Sequence, residues 1–267
     1  MADSKPSNGP TGGKVGVTSV VLLTVDRLAF LKRCVESIVQ HTKDPSLLEW
    51  VFVLNGASSE VSTYLTDFAA QHAERYSGVV LVPLQKNEGV TPGRNVGIEM
   101  SQGEFVLFLD DDAWVSEEPA YLQPEDREID WLRRMTKWFV DPLTGVVGQT
   151  GSYINPSTPG MFWGCSKHGA ECDVMQGYCF MFRRSLVPQI GSLDPYFGRF
   201  WHEESEYALR VRAAGYKVVN LGYIGVTHYG SGSGDDGTYG AKIAYMFQKW
   251  QHRFSEILVP REKWVTL

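Results

Sequence analysis

Gly103-Glu104-Phe105-Val106-Leu107-Phe108-Leu109 runs directly into Asp110-Asp111-Asp112. The first part is almost continuously apolar from Phe105 on, as expected of a strand covered on both faces of a sheet. The second part is three adjacent carboxylates, whose mutual repulsion costs free energy unless a cation stands among them. If strand geometry persists, Asp110 and Asp112 project to one face and Asp111 to the other. A divalent cation bound by carboxylate oxygens relieves the repulsion, and a diphosphate completes its shell. A helix N-cap or a solvated turn is the competing reading, but no helical pattern follows the run directly.

Upstream of this stretch the pattern repeats. Residues 17–24 are a run of Val, Leu and Thr, interrupted only by Ser19, read as a strand. Residues 27–41 place Leu28, Leu31, Val35, Ile38 and Val39 at helical spacing. Residues 49–54 and 79–84 read as strands, 58–76 and 91–101 as helices. Alternating strands and helices predict an α/β fold: a Rossmann-like, mostly parallel central sheet with right-handed crossovers and flanking helices. Ligands bind such sheets beyond the carboxyl ends of the strands. Polar clusters fall there: Thr24-Val25-Asp26-Arg27, Asn55-Gly56, Asn87-Glu88-Gly89 and the three aspartates. Gly and Asn also make plain turns, but four such clusters on one edge point to a nucleotide-type site.

Downstream the pattern is less regular. Residues 129–140, 204–214 and 241–258 read as helices, and 145–150, 177–183, 217–220 and 224–228 as strands. Gly215 suits a left-handed helix cap. The segment 229–240 is rich in Gly and Ser and is expected to be mobile, able to close over a bound donor. The last helix carries Ile243, Phe247, Trp250, Phe254 and Ile257 on one stripe. That stripe is expected to fold back on the domain, with docking to a second copy as the alternative. The expected organisation is a disordered tail over 1–14, a nucleotide-sugar-binding half over 15–112, an acceptor-binding and catalytic half of the same domain over 113–240, and a C-terminal helix over 241–267.

Composition narrows the class. The 267 residues carry a net charge of −6, with 43% hydrophobic and 21% charged side chains. A basic nucleic-acid footprint is absent, and no apolar run approaches the roughly 20 residues that span a bilayer. Residues 1–14 hold no apolar signal-peptide core. The expectation is a cytoplasmic protein, or a peripheral one that visits a membrane. Cys165, Cys172 and Cys179 are spaced by seven, wider than zinc ligand pairs, and are read as buried free thiols. There is no Walker-type loop, no GxGxxG after the first strand and no GxSxG elbow.

Two further clusters carry chemistry. Trp201-His202-Glu203-Glu204-Ser205-Glu206 precedes Arg210 in a helical pattern. Acids at that place favour the helix dipole, and a carboxylate beside a hydroxyl can act as general base. Trp201 and Tyr207 offer flat apolar faces to a sugar ring. His228 is the third candidate, since an imidazole with two aspartates suits Mn2+ better than Mg2+.

With these residues the chain resembles family 2 glycosyltransferases of the GT-A fold, over roughly residues 17–231. Residues 20–27 stand where that family has its first strand and nucleotide loop, and Asn55-Gly56-Ala57-Ser58 is similar to its loop after strand two. Asn87-Glu88-Gly89, Gly93-Arg94-Asn95-Val96-Gly97-Ile98 and Gly103-Glu104-Phe105 are similar to its central signature. Leu109-Asp110-Asp111-Asp112 resembles its D-x-D motif. Gly191-Ser192-Leu193-Asp194-Pro195-Tyr196-Phe197, followed by Glu203-Glu204, is similar to its acceptor-side block, and His228 stands where many members carry a metal-contacting His.

The resemblance implies a GT-A sheet with a smaller acceptor-side region and an inverting, metal-dependent transfer from a UDP- or dTDP-sugar. The recipient would be a hydroxyl of a carbohydrate, lipid-linked or small-molecule acceptor. It implies Asp112, Asp110 and His228 as ligands to Mn2+ or Mg2+. Thr24, Asp26, Arg27, Asn55, Asn87, Gly89, Arg94, Asp110 and Asp111 would surround the donor. Glu204 would be the base, with Glu203 as its alternative, and Trp201 and His202 would face the acceptor. Three positions depart from the pattern. Leu54 replaces a base-reading Asp, Asp26 replaces an Asn, and Glu204 replaces the usual catalytic Asp. A sugar-phosphate nucleotidyltransferase is the alternative enzyme, though Thr24-Val25-Asp26-Arg27 lacks the glycines such enzymes use. A non-catalytic sugar-nucleotide-binding protein is the other alternative.

Overall fold

The computed structural model describes residues 13–230 and 237–266. Most of the expected tail and the centre of the expected mobile loop lie outside the described residues. The chain runs β1 (Lys14–Thr24), α1 (Leu28–His41), β2 (Leu48–Asn55), α2 (Ser59–His72), β3 (Gly78–Leu84), α3 (Val90–Met100), β4 (Gly103–Asp110) and β5 (Ala113–Val115). It continues through α4 (Trp131–Thr136), β6 (Thr144–Gly148), β7 (Gly151–Ile154), β8 (Phe162–Gly164), β9 (Ala170–Cys172), β10 (Val174–Met175), β11 (Cys179–Arg183) and α5 (Val187–Ile190). It closes with α6 (Glu203–Ala213), β12 (Lys217–Asn220), β13 (Val226–His228), α7 (Tyr239–Trp250) and α8 (Phe254–Ile257).

The central sheet has the order β3-β2-β1-β4-β11-β6-β12-β9. β3, β2, β1 and β4 are mutually parallel. β11 runs antiparallel to both β4 and β6, and β12 runs parallel to β6. The expected α/β sheet is therefore present, and it continues unbroken from the first half of the chain into the second. Two small satellites attach to it, β10-β7-β8 and β13-β5.

The apolar strands feed two cores because alternate residues face opposite sides. Val20, Leu22, Trp50, Phe52, Leu107 and Leu109 pack with α1 and α2 on one face. Val21, Val51, Val53, Val106 and Phe108 pack with α6, α7 and α8 on the other. α3 lies unusually close to β1. A Cβ at Gly93 would stand 2.4 Å from Leu23 Cδ1, and one at Gly97 would stand 2.3 Å from Val21 Cγ1.

Several expectations change. Order extends to Lys14, which opens β1. The 129–140 helix is α only over Trp131–Thr136 and tightens into a 3₁₀ turn at Lys137–Val140. The expected single C-terminal helix is two, broken by a 3₁₀ turn at Gln251–Arg253, and the described residues beyond Ile257 are not α-helical. Its apolar stripe is already covered: Ile243, Phe247, Trp250, Phe254 and Ile257 are all buried in the chain's own core, which leaves that stripe no face for a second copy. Cys172 and Cys179 are buried free thiols as expected, whereas Cys165 is half-buried. Among the described residues no helix is long and apolar enough to cross a membrane.

Candidate active site

The parallel register brings the ends of β1, β2 and β4 to one edge, with Leu23 beside Asp110 and Thr24 beside Leu54. The three aspartates diverge there. Asp111 is 1% exposed, accepts from Thr24 Oγ1 at 2.8 Å, and pairs with the Arg27 guanidinium. Burial raises its pKa to about 6, against the pull of Arg27 and Thr24 and with a smaller push from Asp110 and Asp112.

Asp110 and Asp112 turn toward β13. Pairing of His228 with Ala113 across the β13-β5 ladder sets the imidazole beside the acidic run. Its Nε2 lies 3.1 Å from Asp112 Oδ1 and 3.6 Å from Asp110 Oδ2. One ligating atom from each of Asp110, Asp112 and His228 lies within 4.8 Å of the other two, the one such trio among the described residues. Tyr178 stacks behind the imidazole, with ring centres 4.4 Å apart and planes 6° from parallel. Burial works against a charged His228, but the hydrogen bond to Asp112 and the two carboxylates prevail, so its pKa lies above the ordinary value. Two carboxylates and an imidazole form an oxygen and nitrogen donor set suited to Mn2+ or Mg2+.

Arg94 on α3 joins that trio to the second acidic cluster. Its side chain is 7% exposed and lies over the Phe108 ring, 4.9 Å from guanidinium carbon to ring centre. Nη1 donates to Glu203 Oε1 at 2.9 Å, and Nη2 donates to Asp110 Oδ1 and to the Gly177 carbonyl, each at 2.9 Å. Glu203 and Glu204 open α6 after two consecutive non-glycine residues in the left-handed region, Trp201 at φ 79° and His202 at φ 68°. Such backbone strain gathers at functional sites. Glu204 faces the cleft, and its pKa is held well above the ordinary value by burial first and the Glu203 charge second, with Arg94 opposing. The dipole reading of these acids holds as well, since Glu203, Glu204 and Glu206 all lie in the first turn of α6. Glu206 is committed elsewhere, to Arg210, Trp250 and Lys249.

Two clefts meet at Val90, Arg94, Asp110 and Phe200. The first, of about 300 Å³, is lined by Thr24, Val25, Arg27, Asn55, Asn87, Gly89, Asp111 and Arg199 among others. The second, of about 450 Å³, is lined by Phe162, Gly177, Tyr178, Trp201, His202, Glu203, Glu204, His228 and Tyr239 among others. Asn55 and Asn87 spend their amides on the loop itself. Asn55 donates to Asn87 Oδ1 at 3.1 Å and to the Gly89 carbonyl at 3.2 Å, and accepts from Glu88 N at 2.9 Å. Gly89, at φ 99°, lets the chain pass against Arg199, where a Cβ would stand 2.9 Å from its Cα.

Nearly all the sequence-selected residues line these clefts; Asp112, 3% exposed, lines neither but lies against His228, and two others do not converge. Asp26 is exposed and lines neither cleft, because its carboxylate accepts from Ser58 N at 2.7 Å and ties down the neighbouring loop. Tyr207 offers no face to a sugar: it is fully buried against Phe180 and Phe182. The sequence reading also missed Arg199 and Phe200. The carbonyls of Gly198 and Arg199 accept from Thr91 N and Val90 N at the start of α3, at 2.9 and 2.7 Å. No local signal announces that capping contact, which joins residues more than a hundred positions apart.

Residues 19–124 match Glycosyl transferase family 2. The glucosyl-dolichyl phosphate glucuronosyltransferase of Haloferax volcanii is 26% identical over 198 residues, 68% of this chain and 57% of that protein. The first curated relatives are longer proteins, of which the matched regions span 28% and 57%. Among solved structures, the mannosyltransferase PcManGT of Pyrobaculum calidifontis, held with GDP-Man and Mn2+, superposes with a TM-score of 0.60 at 19% identity, covering 78% of this chain and 55% of that one. GalNAc-T7, held with UDP, GalNAc and Mn2+, gives 0.61 at 14% identity, covering 79% and 43%. Residues 19–124 are thus similar to Glycosyl transferase family 2, in a chain whose fold is that of GT-A structures.

Proposed function

We propose that this chain moves a sugar from a nucleotide-diphosphate sugar, a UDP- or dTDP-sugar, to a hydroxyl of an acceptor, with inversion at the anomeric carbon. The observation that carries the reading is the trio Asp110, Asp112 and His228, whose Asp110 lies where the two clefts meet, with Glu204 on the wall of the larger cleft beside the Arg94–Glu203 pair. The donor's nucleotide occupies the smaller cleft beside Thr24, Arg27 and the Asn87–Gly89 loop. Asp110, Asp112 and His228 hold Mn2+ or Mg2+, which when bound neutralises charge developing on the leaving diphosphate.

The protein's own groups do the rest. Thr24 and Arg27 fix Asp111, so that the acidic run keeps one orientation. Both glutamates line the larger cleft, and Arg94 is hydrogen-bonded to Glu203, which leaves Glu204 as the one without a bond to the guanidinium. Glu204 accepts the proton of the acceptor hydroxyl as that oxygen attacks the anomeric carbon from the side opposite the departing diphosphate, a geometry that inverts configuration. Its raised pKa makes it a stronger base than an ordinary glutamate once ionised.

The test is ligand-induced thermal stabilisation by UDP and by dTDP, with and without Mn2+, since binding to the native state raises apparent stability by mass action. Stabilisation that requires both nucleotide and metal, and disappears in Asp112→Asn, is expected. Equal stabilisation with metal and with chelator would remove the metal assignment. No response to either nucleotide would remove the donor.

A further inference from the structure

We infer that Tyr178 is the positioning residue of the Asp110, Asp112 and His228 trio: its ring sets the plane of the His228 imidazole, its carbonyl holds Asp110, and Gln149 and Thr150 fix its hydroxyl. This rests on the metal reading just proposed and names what keeps the donor atoms in place. Asp110 N donates to the Tyr178 carbonyl at 3.1 Å, where β11 meets the end of β4. The Tyr178 ring lies face to face with the imidazole, 4.4 Å between centres and 6° between planes. One residue thus touches two of the three donors, one through its backbone and the other through its side chain. The imidazole needs that support. The His228 side chain is 27% exposed, and a ring so placed changes rotamer readily unless a neighbour holds it.

The tyrosine ring is itself anchored at its far end. Its hydroxyl accepts from Gln149 Nε2 at 3.0 Å and lies 2.8 Å from Thr150 Oγ1. Gln149 commits the rest of its amide to the strand that carries the histidine. Nε2 donates to the Val226 carbonyl at 2.7 Å, and Oε1 accepts from Ile224 N at 3.2 Å. These two bonds hold the backbone on either side of Gly225, which sits at φ 93°. The same amide therefore sets where β13 lies and how the Tyr178 ring is turned. Partners behind a metal-binding imidazole fix its orientation, and their loss lowers metal affinity by about 10–100-fold. A tyrosine that only filled space would affect any bound dication alike. One that orients the imidazole acts on the nitrogen donor, which Mn2+ uses more readily than Mg2+ does.

Electron paramagnetic resonance of free Mn2+ measures the affinity for that ion without nucleotide or turnover, and displacement by Mg2+ gives the affinity for the second ion. Tyr178→Leu removes the aromatic face and leaves the backbone bond to Asp110. It should weaken Mn2+ about tenfold and Mg2+ by clearly less. Tyr178→Phe keeps the stacked ring and should recover most of the Mn2+ affinity. Gln149→Leu keeps Tyr178 but releases its hydroxyl and β13, and should weaken Mn2+ in the same selective way. Circular dichroism checks that each variant is folded. The inference is overturned if folded Tyr178→Leu binds Mn2+ as well as the parent, or loses both ions equally, or if Tyr178→Phe binds no better than Tyr178→Leu. Should Tyr178→Leu not fold, unchanged or unselective binding in Gln149→Leu overturns it instead. Asp112→Asn separates the two readings. If the parent binds no Mn2+, or binds it equally well as Asp112→Asn, the metal assignment itself fails and this inference with it.

Discussion

Replacing Arg94 by methionine isolates the strut between the two halves of the site. The stem remains against Phe108, and the guanidinium with its three hydrogen bonds is lost. Glu203 is then left with a side chain only 4% exposed and no counter-charge. Stranding one partner of a buried pair costs about 3–5 kcal/mol. Asp110 is 36% exposed, so its share is screened by solvent and stays below about 1 kcal/mol. The expected total is about 4 kcal/mol. In a chain of this size about 2–4 °C of melting temperature goes with each kcal/mol, giving a fall of about 8–16 °C. Urea titration followed by circular dichroism measures the loss directly, with an unchanged m-value as the sign that the folded state is otherwise intact. The double variant Arg94→Met with Glu203→Gln removes the stranded charge. It should recover more than about 2 kcal/mol relative to the sum of the single changes. A cost below about 1 kcal/mol for Arg94→Met, or strict additivity in the cycle, would refute the strut.

Glu204→Gln should keep metal-dependent donor binding and lower kcat by about 10²–10⁴, measured as product formed at saturating donor. Because burial and the Glu203 charge raise the Glu204 pKa, the ionised base is lost as pH falls through a value above the ordinary glutamate range, so the acidic limb of kcat should lie there. Arg94 opposes that rise, so Arg94→Met should carry the limb to still higher pH in a stopped-time pH series. Gly89→Ala places a Cβ 2.9 Å from Arg199 Cα at a φ of 99° and should destabilise by about 1–3 kcal/mol in the same urea assay. A neutral result there would show that the loop can move aside.

Much of the architecture was readable because the first half obeys simple periods. The strands over 17–24, 49–54 and 104–109 are buried on both faces, so their apolar runs are unbroken, and α1 and α2 show the 3.6 spacing of a one-sided contact. The acidic run was readable for a similar reason: three adjacent carboxylates at the end of such a strand need an explanation that a solvent-facing loop does not. The four short strands β7 to β10 showed no such signal. Each has two to four residues, too few for a period; β7 and β8 pair locally, while β9 and β10 take their register from strands further away along the chain. The break between α7 and α8 was hidden because the apolar stripe continues through it.

The amino-acid sequence by itself determined the parallel α/β frame and the residue types at the carboxyl ends of its strands, since burial pattern and charge repulsion are local properties of the chain. Tertiary structure alone decided how those residues divide their roles. It sent Asp111 to Thr24 and Arg27 and turned Asp110 and Asp112 to His228. It used Asp26 as a loop tie and buried Tyr207. It also set Arg94 against Glu203, 109 positions away, with Glu204 beside it on the cleft wall. The reason is physical: hydrogen bonds and ion pairs are made at about 3 Å, and which groups come within that range depends on how the sheet stacks distant segments.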